Sequence, residues 1–147
     1  MTQQPSGLLL TMRCRLDAPR ERIFTMLTEP EQLARWWGPA GFTLPRCEID
    51  LRVGGGYRFW MKPADGETFH LSGEYLTIEP PRLLQYSFRW DEPVPDDRET
   101  VVTLSLDAVG EATEVALSQG PFATEERLAL HRQGWTESFE KLRHAVV

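Results

Sequence analysis

The last stretch of the chain, Thr124 to Val147, constrains the fold more than any other. At helical spacing Leu128, His131, Trp135, Phe139, Leu142 and Val146 fall in one stripe, and Glu126, Arg127, Arg132, Gln133, Glu137, Glu140 and Arg143 occupy the opposite face. That is the pattern of a helix with one buried side. Thr124 is placed to cap the first turn, and Glu125 and Glu126 suit its positive end. About 24 residues at 1.5 Å each make a rod of roughly 36 Å, long enough to cross a whole sheet. Gly134 interrupts the rod, where glycine costs about 1 kcal/mol relative to alanine, so close packing or open space is expected beside Trp135.

Almost everything upstream reads as strands. Leu8, Leu10, Met12, Cys14 and Leu16 alternate with polar neighbours, the pattern of a half-buried strand. Two short helices follow: one is expected to be capped by Asp17 and opened by Pro19, the other by a Thr28/Glu31 capping box with Pro30 in its first turn. Gly38, Pro39 and Gly41 end the second. Strands are then predicted over Cys47–Val53, through Tyr57, Phe59 and Met61, over Thr68–Glu79 with a bulge or bend at Gly73, and through Leu84, Tyr86, Phe88 and Trp90. Two more run through Val102, Leu104 and Leu106, and through Thr113, Val115 and Leu117, after which Gly120-Pro121 leads into the long helix. Asp65-Gly66 signals a hairpin turn, and Asp91–Asp97, with four acids and two prolines, reads as a solvated loop.

Strands and helices do not alternate, so the sheet is expected to be antiparallel, and a long curved one wraps a helix on its concave face. The predicted class is α+β: about seven strands around the carboxy-terminal helix, with two short helices after the first strand. Residues 1–7 read as a loose tail and 8–147 as a single domain.

The bulk numbers exclude several functions. A net charge of −6 with scattered basic residues opposes nucleic-acid binding, and the two adjacent short helices carry acid as well as base. No apolar run reaches the length of a membrane span or signal peptide, so a cytoplasmic protein is expected. Gly54-Gly55-Gly56 lacks the Gly-Lys-Ser/Thr of a phosphate loop and precedes a strand, so it reads as a tight connection. Cys14 and Cys47 read as free thiols; no metal or cofactor is expected. Glu48 and Asp50, two apart on one strand, read as a solvated face.

Trp36-Trp37-Gly38-Pro39, Asp50-Leu51-Arg52-x-Gly54-Gly55, Pro63-x-Asp65-Gly66 and Gly134-Trp135 together give the chain a family likeness. From about Leu8 to Ala145 it resembles the bacterial domains related to the activator of the heat-shock-protein-90 ATPase. These lie within the START-like (SRPBCC, Bet v 1-like) superfamily. The resemblance implies a helix-grip fold with a hydrophobic cavity between sheet and terminal helix, and it carries over no shared catalytic set. The eukaryotic co-chaperones that name the family have a further amino-terminal domain, whereas about seven residues precede the first strand here. Chaperone activation is therefore implied by the name alone.

Placed on that fold, the cavity is expected to be lined by Trp36, Trp37, Tyr57, Phe59, Tyr86, Phe88, His131, Trp135 and Phe139. Trp36 and Trp37 are 100° apart on a helix, so one is expected to seal the core and the other to line the mouth. The expected function is binding of a small hydrophobic or aromatic molecule, in lipid handling or stress response, with no defined catalysis and as a monomer or weak homodimer. The alternatives are a polyketide cyclase/aromatase-like enzyme, for which His131 with Tyr86 is the nominated acid–base pair, and a co-chaperone-like interaction module.

Overall fold

The computed structural model describes residues 8–146; the segment 1–7, expected to be a loose tail, lies outside them. Seven strands form one antiparallel sheet, in the order β1-β7-β6-β5-β4-β3-β2. They are β1 (Leu8–Leu16), β2 (Thr43–Ile49), β3 (Gly56–Lys62), β4 (Phe69–Glu79), β5 (Leu83–Trp90), β6 (Thr100–Val109) and β7 (Ala112–Phe122). Helices α1 (Arg20–Thr28) and α2 (Pro30–Leu33) bridge the two edge strands, and α3 (Glu125–Ala145) lies in the trough of the curved sheet. This is the helix-grip α+β fold.

Alternation builds the inner face. Leu10, Leu16, Leu71, Leu84, Val102, Leu104, Leu106 and Val115 are all essentially inaccessible, each from an inward position of its strand. The carboxy-terminal half of α3 closes over them with Phe139, Leu142 and Val146. Its last carbonyls are held by cations, as the negative end of a helix favours: Arg35 donates to Ala145 O at 3.0 Å and Arg22 to Val146 O at 3.3 Å. At the other end Thr124 Oγ1 accepts from Arg127 N at 3.1 Å, the predicted cap.

Several local expectations need correction. Neither Asp17 nor Thr28 caps a helix: the cap positions fall to Pro19 and Glu29 without side-chain bonds, and Thr28 Oγ1 donates back to Phe24 O at 2.8 Å. β2 starts earlier than predicted and stops at Ile49, because residues 50–55 fold into a tight connection. There Gly55 N donates to Arg52 O at 2.8 Å and Gly54 takes φ 86°. β7 runs on to Phe122, so Gly120-Pro121 belongs to the strand rather than to a linker.

The β4 irregularity sits at Tyr75/Thr77, not at Gly73. Glycine is needed at 73 for another reason: a Cβ there would lie 2.0 Å from Ser87 O and 2.7 Å from the Tyr57 ring. At this bend side chains replace the ladder, Tyr57 Oη donating to Ser87 O at 2.6 Å and Glu74 N to Ser87 Oγ at 2.9 Å.

Candidate functional site

The amino-terminal half of α3 is less buried than the rest: no residue before Trp135 is fully buried, and it meets the sheet through His131 and Trp135. Beneath it, between α3, β4, β5 and the loop after α2, lies a hollow of about 460 Å³, within the usual size range of small-molecule pockets. Trp37, Phe42, Met61, Phe88, Trp90, His131 and Trp135 line it. Phe69, Val94 and Leu130 stand at its rim, and they are 47%, 48% and 53% exposed. These three otherwise unexplained apolar residues thus come from three elements to surround one opening.

Each wall is fixed from behind. Trp36 is fully buried and donates from Nε1 to Met26 O at 2.8 Å, which anchors α2 in the core. Its neighbour Trp37 turns to the cavity and packs edge-on against Trp135 and Phe59, at 5.4 and 4.9 Å between ring centres. The 37–42 loop is held against α3 by Lys141, whose Nζ reaches Pro39 O at 3.2 Å and Phe42 O at 3.3 Å, and by Glu137, which accepts from Ala40 N at 3.0 Å. Burial lowers the pKa of that lysine. Gly134 lies on the wall, and a Cβ there would meet only Pro39, at 3.6 Å.

Two polar features escaped the sequence reading. Gln119, fully buried on the inner face of β7, accepts from Trp135 Nε1 at 2.7 Å and donates to Thr100 Oγ1 at 3.0 Å, locking the indole of the cavity wall. Its signal was available, since it continues the odd-numbered inward phase of Thr113, Val115 and Leu117. The second is the pair Arg127–Asp97, at 2.6 Å with side chains 22% and 8% exposed. The acidic loop is therefore not simply solvated: Asp97 folds back onto α3, and Glu92, Val94 and Asp97 line the cavity. Arg127, read as solvent-facing, lines it too.

His131 sits among Phe122, Phe88 and Trp90, its ring centre 4.8, 5.6 and 6.2 Å from theirs. Its Nδ1 lies 2.9 Å from Arg127 O, a group that only accepts, so Nδ1 carries the proton and Nε2 is left as an acceptor. Burial, chiefly, pushes its pKa below the ordinary value.

Of the nine expected lining residues, the structure brings Trp37, Phe88, His131 and Trp135 to the cavity. The other five do not line it. Trp36 is consumed by the core, Phe139 packs farther along α3 at 5.5 Å from Trp135, and Tyr57, Phe59 and Tyr86 fill the trough against one another. The nominated His131–Tyr86 pair is not assembled at the hollow: Tyr86 lies in the cluster with Tyr57 and Tyr75, its phenol pushed well above the usual range by burial. His70 faces the outer side, where it meets Glu92 at 2.8 Å and stacks edge-on with Trp60. Glu48 and Asp50 pair with Arg46 and Arg52 in solvent. Cys14 and Cys47 are both free.

A larger hollow of about 690 Å³ lies on the outer side of the sheet under the 91–99 loop, but it is lined by opposed charges, Arg58, Arg89 and Arg98 against Asp91, Asp97 and Glu99. Among the described residues no cluster of three or more His, Cys, Asp or Glu is placed to hold a metal, and no helix is long and apolar enough to cross a membrane.

The profile of the activator of Hsp90 ATPase homolog 1-like protein family matches residues 17–146. Among solved structures, one from Rhodobacter sphaeroides is 27% identical with TM-score 0.80, covering 98% of this chain and 97% of that one. A protein of Silicibacter pomeroyi carrying the family's name is 25% identical with TM-score 0.81, over 94% of this chain and 96% of its own. One from Chromobacterium violaceum, 24% identical, superposes with TM-score 0.83 over 92% of this chain and 94% of its own. No curated protein matches the sequence.

Proposed function

Because this chain belongs to the activator of Hsp90 ATPase homolog 1-like protein family, whose fold is in general a ligand-binding one, we propose that it binds a small apolar or aromatic molecule in the hollow under α3. The observation that carries this reading is the composition of the walls. Trp37, Phe42, Phe88, Trp90 and Trp135 supply rings, and the polar groups of the lining come from the 91–99 loop and α3. Sites for small molecules combine such walls with a few polar groups that fix orientation. The rings are held by bonds from behind, through Gln119 and Lys141, so the hollow exists before any guest arrives and little binding energy is spent on ordering it.

Arg127 and Asp97 pair with each other, and beside them Nε2 of His131 is left as an acceptor. One free acceptor suits orientation of a guest better than paired acid–base chemistry, which needs two poised groups within reach of the reacting atoms. The test is native mass spectrometry of the protein purified under non-denaturing conditions, beside a Gly134→Leu variant whose side chain projects past Pro39 into the hollow. A small-molecule adduct on the wild type that is missing from the folded variant is expected. Equal adducts on both, or a wild type that stays empty when naphthalene is added, contradict the proposal.

A further inference from the structure

The polar part of the lining includes one unpaired acceptor. His131 is fixed as the Nδ1–H tautomer by Arg127 O, and three aromatic rings hold its plane, so Nε2 is an acceptor of set direction with no partner among the described residues. Two donors of lining residues, Trp90 Nε1 and Arg127 Nε, also lack partners among the described residues, but both are buried beneath the surface of the hollow. Nε2 of His131, by contrast, is not sealed from solvent, so it is an unpaired acceptor that a guest can reach. The charged lining residues are three carboxylates, Glu92, Asp97 and Glu137, and one cation, Arg127. Arg127 is held by Asp97, Glu92 of the same loop meets His70, and Glu137 accepts from Ala40 N. No cation is left over for a carboxylate guest.

A group that donates and carries no charge fits that acceptor: a hydroxyl on a flat ring. Resting on the binding function proposed above, we infer that the guest is a neutral hydroxyl-bearing aromatic molecule, a phenol or naphthol in chemical class, whose O–H donates to Nε2 of His131. The remaining rings of the hollow take its apolar face. Protonation of Nε2 removes the acceptor, so recognition of the hydroxyl weakens in acid. Burial, chiefly, lowers the imidazole's pKa; the bond to Arg127 O opposes this, the Arg127 guanidinium adds to it, and Asp97 opposes it.

The experiment is isothermal titration of 2-naphthol, 2-methoxynaphthalene, naphthalene and 2-naphthoate into the wild type and a His131→Phe variant, with the variant's fold checked by its melting curve. In the wild type 2-naphthol should bind about tenfold tighter than the ether or the hydrocarbon, the worth of one well-placed hydrogen bond. The preference should vanish in His131→Phe and fade in the wild type as pH falls below the histidine range. A second readout is independent of any variant: the ¹⁵N resonance of His131 Nε2 should move with 2-naphthol and stay with naphthalene. Equal affinities for naphthol, ether and hydrocarbon would overturn hydroxyl recognition and leave the apolar cavity intact. Tightest binding of 2-naphthoate, or an undiminished naphthol preference in a folded His131→Phe, would overturn it equally. If none of the four binds, the cavity function itself fails and this inference fails with it.

Discussion

Replacing Gln119 with leucine should be among the most damaging single changes of similar volume in this chain. The side chain is fully buried, and its amide makes two bonds: it accepts from the Trp135 indole at 2.7 Å and donates to Thr100 Oγ1 at 3.0 Å. Leucine makes neither. A buried polar group stranded without a partner costs about 1–3 kcal/mol. The indole N–H is rigid and bears the full penalty, whereas the threonine oxygen loses only a donor and its hydroxyl can still rotate to donate elsewhere. The expected loss is about 2–3 kcal/mol, which for a chain of this length lowers the melting temperature by about 5–10 °C. Urea unfolding of the wild type, Gln119→Leu, Trp135→Phe and the double variant separates the bond from the packing. Removing the indole N–H first should make the glutamine change cheaper, giving a coupling of about 1–2 kcal/mol. Because the same bond aims Trp135 at the hollow, Gln119→Leu should also weaken naphthalene binding. A change within about 0.5 kcal/mol of wild type, or no coupling in the cycle, would refute the reasoning.

Gly134→Ala should raise stability by about 0.5–1 kcal/mol in chemical denaturation, since the helix gains propensity and the new methyl meets only Pro39, yet lower the affinity for an aromatic probe. Asp97→Asn strands the largely buried Arg127 guanidinium and should cost about 2–3 kcal/mol, a little under the usual loss for breaking a buried pair because Arg127 is 22% exposed. Full stability in urea would show that the 91–99 loop is not anchored by that pair. His131 has its folded pKa lowered, so the unfolded chain takes up the proton first as pH drops. Its contribution is complete above the ordinary histidine value and is lost as pH falls through that value toward the lower folded one. Melting temperatures from pH 8 to 5 should therefore decline in acid more steeply for the wild type than for His131→Phe, and parallel curves would contradict the assignment.

The architecture was legible because each strand carries its alternation openly and the last helix carries an uninterrupted stripe. The site was legible only in part. Period-two and period-3.6 patterns say which way a side chain points, not how far away the opposing element is. Tyr57, Phe59 and Tyr86 do point into the trough, but there the rings meet one another, whereas the hollow opens under the less buried first half of α3. Helical period places Arg127 on the outer face for the same reason, yet beside the hollow the flank of the stripe becomes a wall. Asp97 was hidden by its company of acids and prolines, a composition that marks loops without showing where they fold back. Gln119 was visible as an inward polar residue, and only its partner, 16 residues away on another element, gave it meaning.

The central claim is that the hollow beneath the first half of α3 accepts an apolar guest. Crystals soaked with a brominated naphthalene test it most directly, through the anomalous signal of the bromine. One peak among Trp37, Phe88, His131 and Trp135 is the predicted result. Bromine found only at the surface, or between α3 and the tyrosine-filled part of the trough, would contradict it.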